Sequence, residues 1–305
     1  MDLIYSPRYG VLVANFQTEV QTIDVLTHAV TTHAPIAAFA MFPDIAISPS
    51  GRYVFAADWG GDNFGGNYPG GPVPNPNYIH RLDLATGIWE TPETSYEGGH
   101  VQAVADDQII VSIYSQFAQL VNERWTSGTD TLPLNAPTNT FDAPAYVTDA
   151  YGGEFRYAPA SGRLLIGSQG LSSNDIEAYR LSGDNFVTQE STGVYGSAQA
   201  YGGTEVLATD GSGFYYGRLE VDPLDVTHQL RIFPEQIYAA SGDLAFGSQN
   251  YYDARSGQAV GSILADYAQV YALNAAGTDL WVYDPLQSML RRFVQDAIFA
   301  DPFGN

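Results

Sequence analysis

The sequence predicts an all-β chain folded as a seven-bladed β-propeller with four-stranded antiparallel blades. Three observations predict it: short stretches of alternating apolar and polar residues, Gly-centred turns between them, and seven recurrences of the whole pattern along 305 residues. Composition agrees. The chain has 31 Gly, 17 Pro and 13% aromatics, as many short strands and turns require, and its 45% apolar content can bury a sizeable core.

The first unit reads DLIYSPRYGVLVA from Asp2, a strand, a turn and a strand, followed by VQTIDVLT from Val20. The second reads DIAISPSGRYVFAA from Asp44 and then YIHRLDLATG from Tyr78. The third opens at His100 with HVQAVADDQIIVSI. From Glu154 comes EFRYAPASGRLLIG, then DIEAYRLSGD. Glu205 opens EVLATDGSGFYYG, continued by LEVDPLDVTHQLRI. Glu235 opens EQIYAASGDLAFGS, then YYDARSGQAVGSI. Gln269 opens QVYALNAAGTDLWVY, then SMLRRFV. The repeat averages about 44 residues, within the range of about 40–45 for a four-stranded blade.

The blades are therefore expected at residues 2–37, 38–95, 96–146, 147–197, 198–232, 233–265 and 266–297. They form one domain over 1–300, with 298–305 as a C-terminal tail. A single such sheet cannot bury both faces, whereas radial packing against two neighbours can. Each unit begins at an inner strand and ends at an outer one, in step with the chain ends. Little or no strand exchange is expected at closure.

The stretch PDIAISPSGRYVFAAD, followed by IHRLDLATG, resembles the repeat of YVTN-type and related bacterial propellers. The first two units carry the resemblance best; the third, fifth and sixth are degenerate. It extends over almost the whole chain and implies a fold rather than an activity, since related propellers include lactonases, cofactor-binding subunits, lyases and surface-protein modules.

Charge narrows the partners. The formal net charge is −22, and all 12 basic residues are Arg. Such a surface repels nucleic-acid phosphates and anionic lipid, and favours a neutral or cationic small molecule, glycan or peptide. Protein partners also fit. Without Lys there is no Schiff-base amine and no phosphate-loop lysine. Without Cys there is no disulfide and no thiolate-bound metal. No nucleotide or haem is expected, and no apolar run is long enough for a membrane span. A high-GC or salt-adapted genome also accounts for the missing Lys. Residues Met1-Asp2-Leu3 lack the basic and apolar regions of a signal peptide; the expected location is nevertheless extracellular or periplasmic.

Aligning the units on their first turn superimposes the residues that open the innermost strands: Asp2, Asp44, His100, Glu154, Glu205, Glu235 and Gln269. In a propeller these positions converge on one mouth of the central channel. Several carboxylates in one narrow space must be protonated, hydrated or neutralised by a cation. Oxygen ligands with one imidazole suit Ca²⁺, and less comfortably Mg²⁺ or Mn²⁺. Asp2, Asp44, Glu154, Glu205 and Glu235 are the metal-ligand candidates, at a place comparable to the divalent-ion site of gluconolactonase-like propellers. The alternative is that they cap and solvate the strand starts. His100, Glu154 and Glu205 are the catalytic candidates.

Gly-Gly steps precede His100, Glu154 and Glu205, as close backbone approach at a crowded mouth requires. The long insertions, 58–77, 133–153 and 167–174, belong to the same face. Ligand-contacting residues are expected there at Asp58, Trp59, Asp62, Asn63 and Tyr68, with Tyr151 and Tyr201 as stacking platforms or as packing between blades. His28 and His33 read as surface residues, His80 and His228 as third-strand packing or edge residues, and Arg291-Arg292 as an outer-strand salt-bridge pair. No G-x-S-x-G elbow and no phosphate loop is present.

These features support a secreted or periplasmic ligand-binding or surface module with an acidic channel mouth, with or without a divalent cation. The alternative is a metal-assisted lactonase, hydrolase or lyase acting at the same mouth. The sequence leaves open which of the two it is.

Overall fold

The computed structural model describes residues 2–16, 18–34, 44–57, 77–94, 98–113, 119–125, 155–167, 176–182, 185–192, 205–263, 270–274, 276–284 and 289–294. Every regular element among them is a strand, and no helix there is long and apolar enough to cross a membrane. The strands form seven antiparallel sheets, each built from strands consecutive in sequence. The first holds β1 (Asp2–Ser6), β2 (Val11–Asn15), β3 (Val20–Asp24) and β4 (Val30–His33). The second holds β5 (Ile45–Ile47), β6 (Tyr53–Ala57), β7 (Asn77–Asp83) and β8 (Ile88–Glu90), with a short β9 (Glu93–Thr94) also pairing with β7. In the third are β10 (Gly98–Ala105), β11 (Gln108–Ile113) and β12 (Gln119–Arg124). The fourth contains β13 (Phe155–Ala158), β14 (Arg163–Gly167), β15 (Ile176–Ser182) and β16 (Asn185–Thr192). The fifth contains β17 (Glu205–Leu207), β18 (Phe214–Tyr216), β19 (Leu219–Asp222) and β20 (Asp225–Ile232). The sixth contains β21 (Ile237–Ser241), β22 (Leu244–Gly247), β23 (Asn250–Asp253) and β24 (Ala259–Ser262). The seventh contains β25 (Val270–Leu273), β26 (Asp279–Asp284) and β27 (Met289–Val294). Strand β9 was not foreseen, and His228 lies in the outer strand β20 rather than in a third strand.

The chain divides into two compact units, Met1–Gly153 with Leu181–Val187, and Glu154–Arg180 with Thr188–Asn305. Within each unit the core consists of apolar clusters shared by consecutive blades. In the first unit, Val13 and Val20 meet Ile45, Val54, Leu82 and Trp89, and Phe55 and Ile79 meet Val101, Ile109 and Val111. In the second, Leu165 and Ile176 meet Phe214 and Leu219; Tyr215 and Phe233 meet Ile237, Ala245 and Tyr252; Phe246 meets Leu280 and Val282. Second strands are buried on both faces, which explains why VLVA, LLIG and LAFG read as continuous apolar runs rather than alternating ones. Outer strands such as β4 and β24 are mostly exposed.

The inner hairpin turns are stitched to their neighbours. Ser6 donates its hydroxyl to the Gly51 carbonyl at 2.8 Å, and the Ser50 amide donates to Asp106 at 3.4 Å. In the second unit the Thr209 amide donates to the Ala240 carbonyl at 3.0 Å. Gly277, at φ +68, lies so close to Ser241 that a Cβ would stand 2.6 Å from its Oγ. These contacts fix the hairpin ends of consecutive inner strands.

Candidate functional site

At the other end of the inner strands lie the opening residues. Asp2 is the first residue of β1 and pairs across to Asn15, whose side-chain amide donates to its carboxylate at 3.2 Å. Asp44 immediately precedes β5, Glu205 begins β17, and Glu235 stands two residues ahead of β21. His100 is the third residue of β10, beside a register irregularity between Gly98 and Val101. Glu154 and Gln269 lie outside the described residues, as do Asp58, Trp59, Asp62, Asn63, Tyr68, Tyr151 and Tyr201.

In the first unit the fold brings Asp44 and His100 together from adjacent blades. His100 Nδ1 is 3.4 Å from Asp44 Oδ2, and the same oxygen accepts the Val101 amide at 3.0 Å. The other oxygen, Oδ1, accepts the Ile45 amide at 2.9 Å. The carboxylate is thus held by two backbone donors while it faces the imidazole. His100 is fixed from behind: its amide donates to Ser112 Oγ at 2.7 Å. That approach needs Gly99, where a Cβ would stand 2.7 Å from the same Oγ. The Gly-Gly step therefore serves close approach rather than positive φ. A carboxylate facing the imidazole favours its protonated, positively charged form.

In the second unit Glu205 is fully buried, and its Oε1 accepts the Gly167 amide at 2.6 Å, tying the start of β17 to the end of β14 in the preceding blade. Tyr216 packs on Gly167 so closely that a Cβ there would overlap its ring. Burial, with Glu205 beside it, raises the Tyr216 hydroxyl far above the ordinary phenol range.

Glu235 receives six hydrogen bonds. Its Oε2 accepts the Ser248 amide at 2.9 Å, the Ser248 hydroxyl at 2.6 Å and the Gln249 amide at 3.1 Å. Its Oε1 accepts the Asn250 amide at 3.0 Å, the Asn250 side-chain amide at 3.1 Å and the Tyr252 hydroxyl at 2.7 Å. Burial alone would raise this carboxylate, but the bonds from Ser248, Tyr252, Asn250 and Gln249 outweigh it and hold Glu235 below its ordinary value. About four lone-pair sites exist on a carboxylate, so a cation on Glu235 would have to displace donors already in place.

Among the described residues no group of three or more His, Cys, Asp or Glu is gathered as a metal site. The opening positions thus share one strand end, and the described contacts bring together one pair, Asp44 with His100. The residues that hold Glu235 were not foreseen. Their sequence signal is the Gly-Ser-Gln triplet at 247–249, which recurs at 167–169 after a second apolar strand.

No protein-family model and no curated protein sequence matches the chain. Solved structures do. A chain of the mitotic checkpoint complex is similar at a TM-score of 0.64 and 9% identity, over 96% of this chain and 86% of that one. The β-propeller domain of Cps50 (Swd1) from Myceliophteria thermophila is similar at 0.65 and 11% identity, over 96% of both chains. A chain of Kuenenia stuttgartiensis hydrazine synthase is similar at 0.59 and 11% identity, over 96% and 94%. The protein is a seven-bladed β-propeller. At these identities the likeness establishes the fold alone, and the YVTN-type assignment stays a resemblance carried best by the repeats of the first two units.

Proposed function

We propose that this propeller is a non-catalytic binding module that takes a cationic ligand, a small amine or a basic peptide segment, on the face where the inner strands open. The disposition of charge carries this reading. At least seven of the 12 arginines stand within 4.0 Å of a carboxylate of the same chain, so much of the positive charge is already paired while the chain keeps a net charge of −22. The carboxylates of Asp44, Glu205 and Glu235 each accept backbone amides, which suits a preorganised rim. The name of the mitotic checkpoint complex describes an assembly, and a partner-binding role for a propeller is in keeping with it. A secreted or periplasmic setting belongs to the same proposal.

Calorimetric titration with a short arginine-rich peptide, a neutral oligosaccharide and an acidic peptide tests it. The basic peptide should bind, weaken steeply with added salt, and lose roughly five- to tenfold in affinity to Asp44→Asn. Preferential binding of the acidic peptide, or salt-independent binding, would contradict it.

The Asp44–His100 pair favours one second reading, a metal-assisted lactonase or hydrolase with His100 as general base. Its test is turnover of lactones with Ca²⁺ present. Activity abolished by His100→Gln supports it; no turnover by wild-type protein ends it.

A further inference from the structure

The loop at Gly247–Asn250 is built as an anion receptor. Three successive backbone amides, those of Ser248, Gln249 and Asn250, point at one carboxylate, with the Ser248 hydroxyl, the Asn250 side-chain amide and the Tyr252 hydroxyl completing the ring of donors. Consecutive amides converging in this way form a concave nest with partial positive charge. Gly247 supplies the room: a Cβ there would stand 2.4 Å from the carboxyl carbon of Glu235. Tyr271 of the next blade donates its hydroxyl to the Gly247 carbonyl at 2.6 Å and holds the loop from the other side. The receptor's frame therefore includes contacts independent of Glu235.

We infer that this loop is a carboxylate-binding site occupied by the chain's own Glu235, and that it accepts an external small carboxylate once that side chain is removed. The site selects a planar two-oxygen anion, because its donors divide into two sets of three, one for each oxygen. A chain of net charge −22 would hold a free anion poorly elsewhere on its surface. Tethering the anion as a side chain removes that cost, and it couples the β22–β23 loop to the start of inner strand β21.

Chemical rescue tests the inference. Glu235→Ala should melt lower than wild type by on the order of 5 °C, and acetate should restore much of that loss along a saturating curve. Sodium chloride at the same ionic strength is the control for screening. Glu235→Gln keeps the pocket filled and should not respond to acetate beyond chloride. If Glu235→Ala is unfolded in chloride, acetate should recover its β-sheet circular dichroism. The inference is overturned if acetate and chloride act alike on Glu235→Ala, folded or not, or if acetate raises wild type and Glu235→Gln as much as the alanine variant.

Discussion

His28 is the one described non-glycine residue with positive φ, at 61°. It ends the turn Asp24–His28, in which Asp24 accepts the Leu26 and Thr27 amides. The same turn recurs after Asp83 and after Asp253, and there the equivalent residues are Gly87 and Gly257, at φ of 71° and 70°. A left-handed conformation costs a non-glycine residue roughly 1–2 kcal/mol, and glycine gives back part of that as chain entropy. His28→Gly should therefore stabilise the fold by about 0.5–1 kcal/mol, read from the urea midpoint; a loss would mean that the exposed imidazole makes a stabilising contact. Glu235 yields a pH dependence. Its folded value lies below the ordinary 4.5, so its stabilisation is complete above that pH and disappears as the pH falls through the lowered folded value. Glu235→Gln should lose roughly 1–3 kcal/mol near neutrality, a range that allows for partial exposure of the rim. The gap to wild type should stay constant down to about pH 5 and then close. A gap that widens in acid would mean the opposite sign of shift.

At the scale of elements, the inner hairpins carry the register from one blade to the next. Gly10 and Gly277 occupy equivalent turns at φ of 62° and 68°, but a Cβ at Gly10 meets nothing within 4 Å while one at Gly277 collides with Ser241. Gly10→Ala should cost about 1 kcal/mol of backbone strain, and Gly277→Ala a further 1–3 kcal/mol from overpacking at the blade junction. Equal losses in thermal denaturation would show that the junction yields without resistance. These turns were legible because SPRYG, SPSG and AAG announce them locally, and the blade limits followed from them. Both-face burial of the second strands was less legible: VLVA and LLIG carry no period that separates one buried face from two. Strand β9 had no signal, since Glu93–Thr94 pairs with Asn77–Tyr78 across the end of blade two. The opening positions were found by alignment to the turns, but their roles were not. Whether Glu235 meets a cation or three amides depends on where a loop twelve or more residues later returns, and that is fixed by tertiary folding.

For the whole molecule, the repeat decides the fold and the charge decides the partner. Seven sheets of consecutive strands make up the described fold, and arginines on or beside them pair with carboxylates of the same sheet: Arg52 with Asp83, Arg81 with Glu90, Arg292 with Asp279. The net charge of −22 is the ground for the proposed cationic ligand and for expecting no nucleic acid. The most direct measurement is amide hydrogen exchange with and without a bound arginine-rich peptide. Added protection should gather at the strand openings, at residues 44–45 and 98–101, and leave outer strands β4 and β24 unchanged. Protection confined to those outer strands, with the openings untouched, would contradict a ligand face at the start of the inner strands.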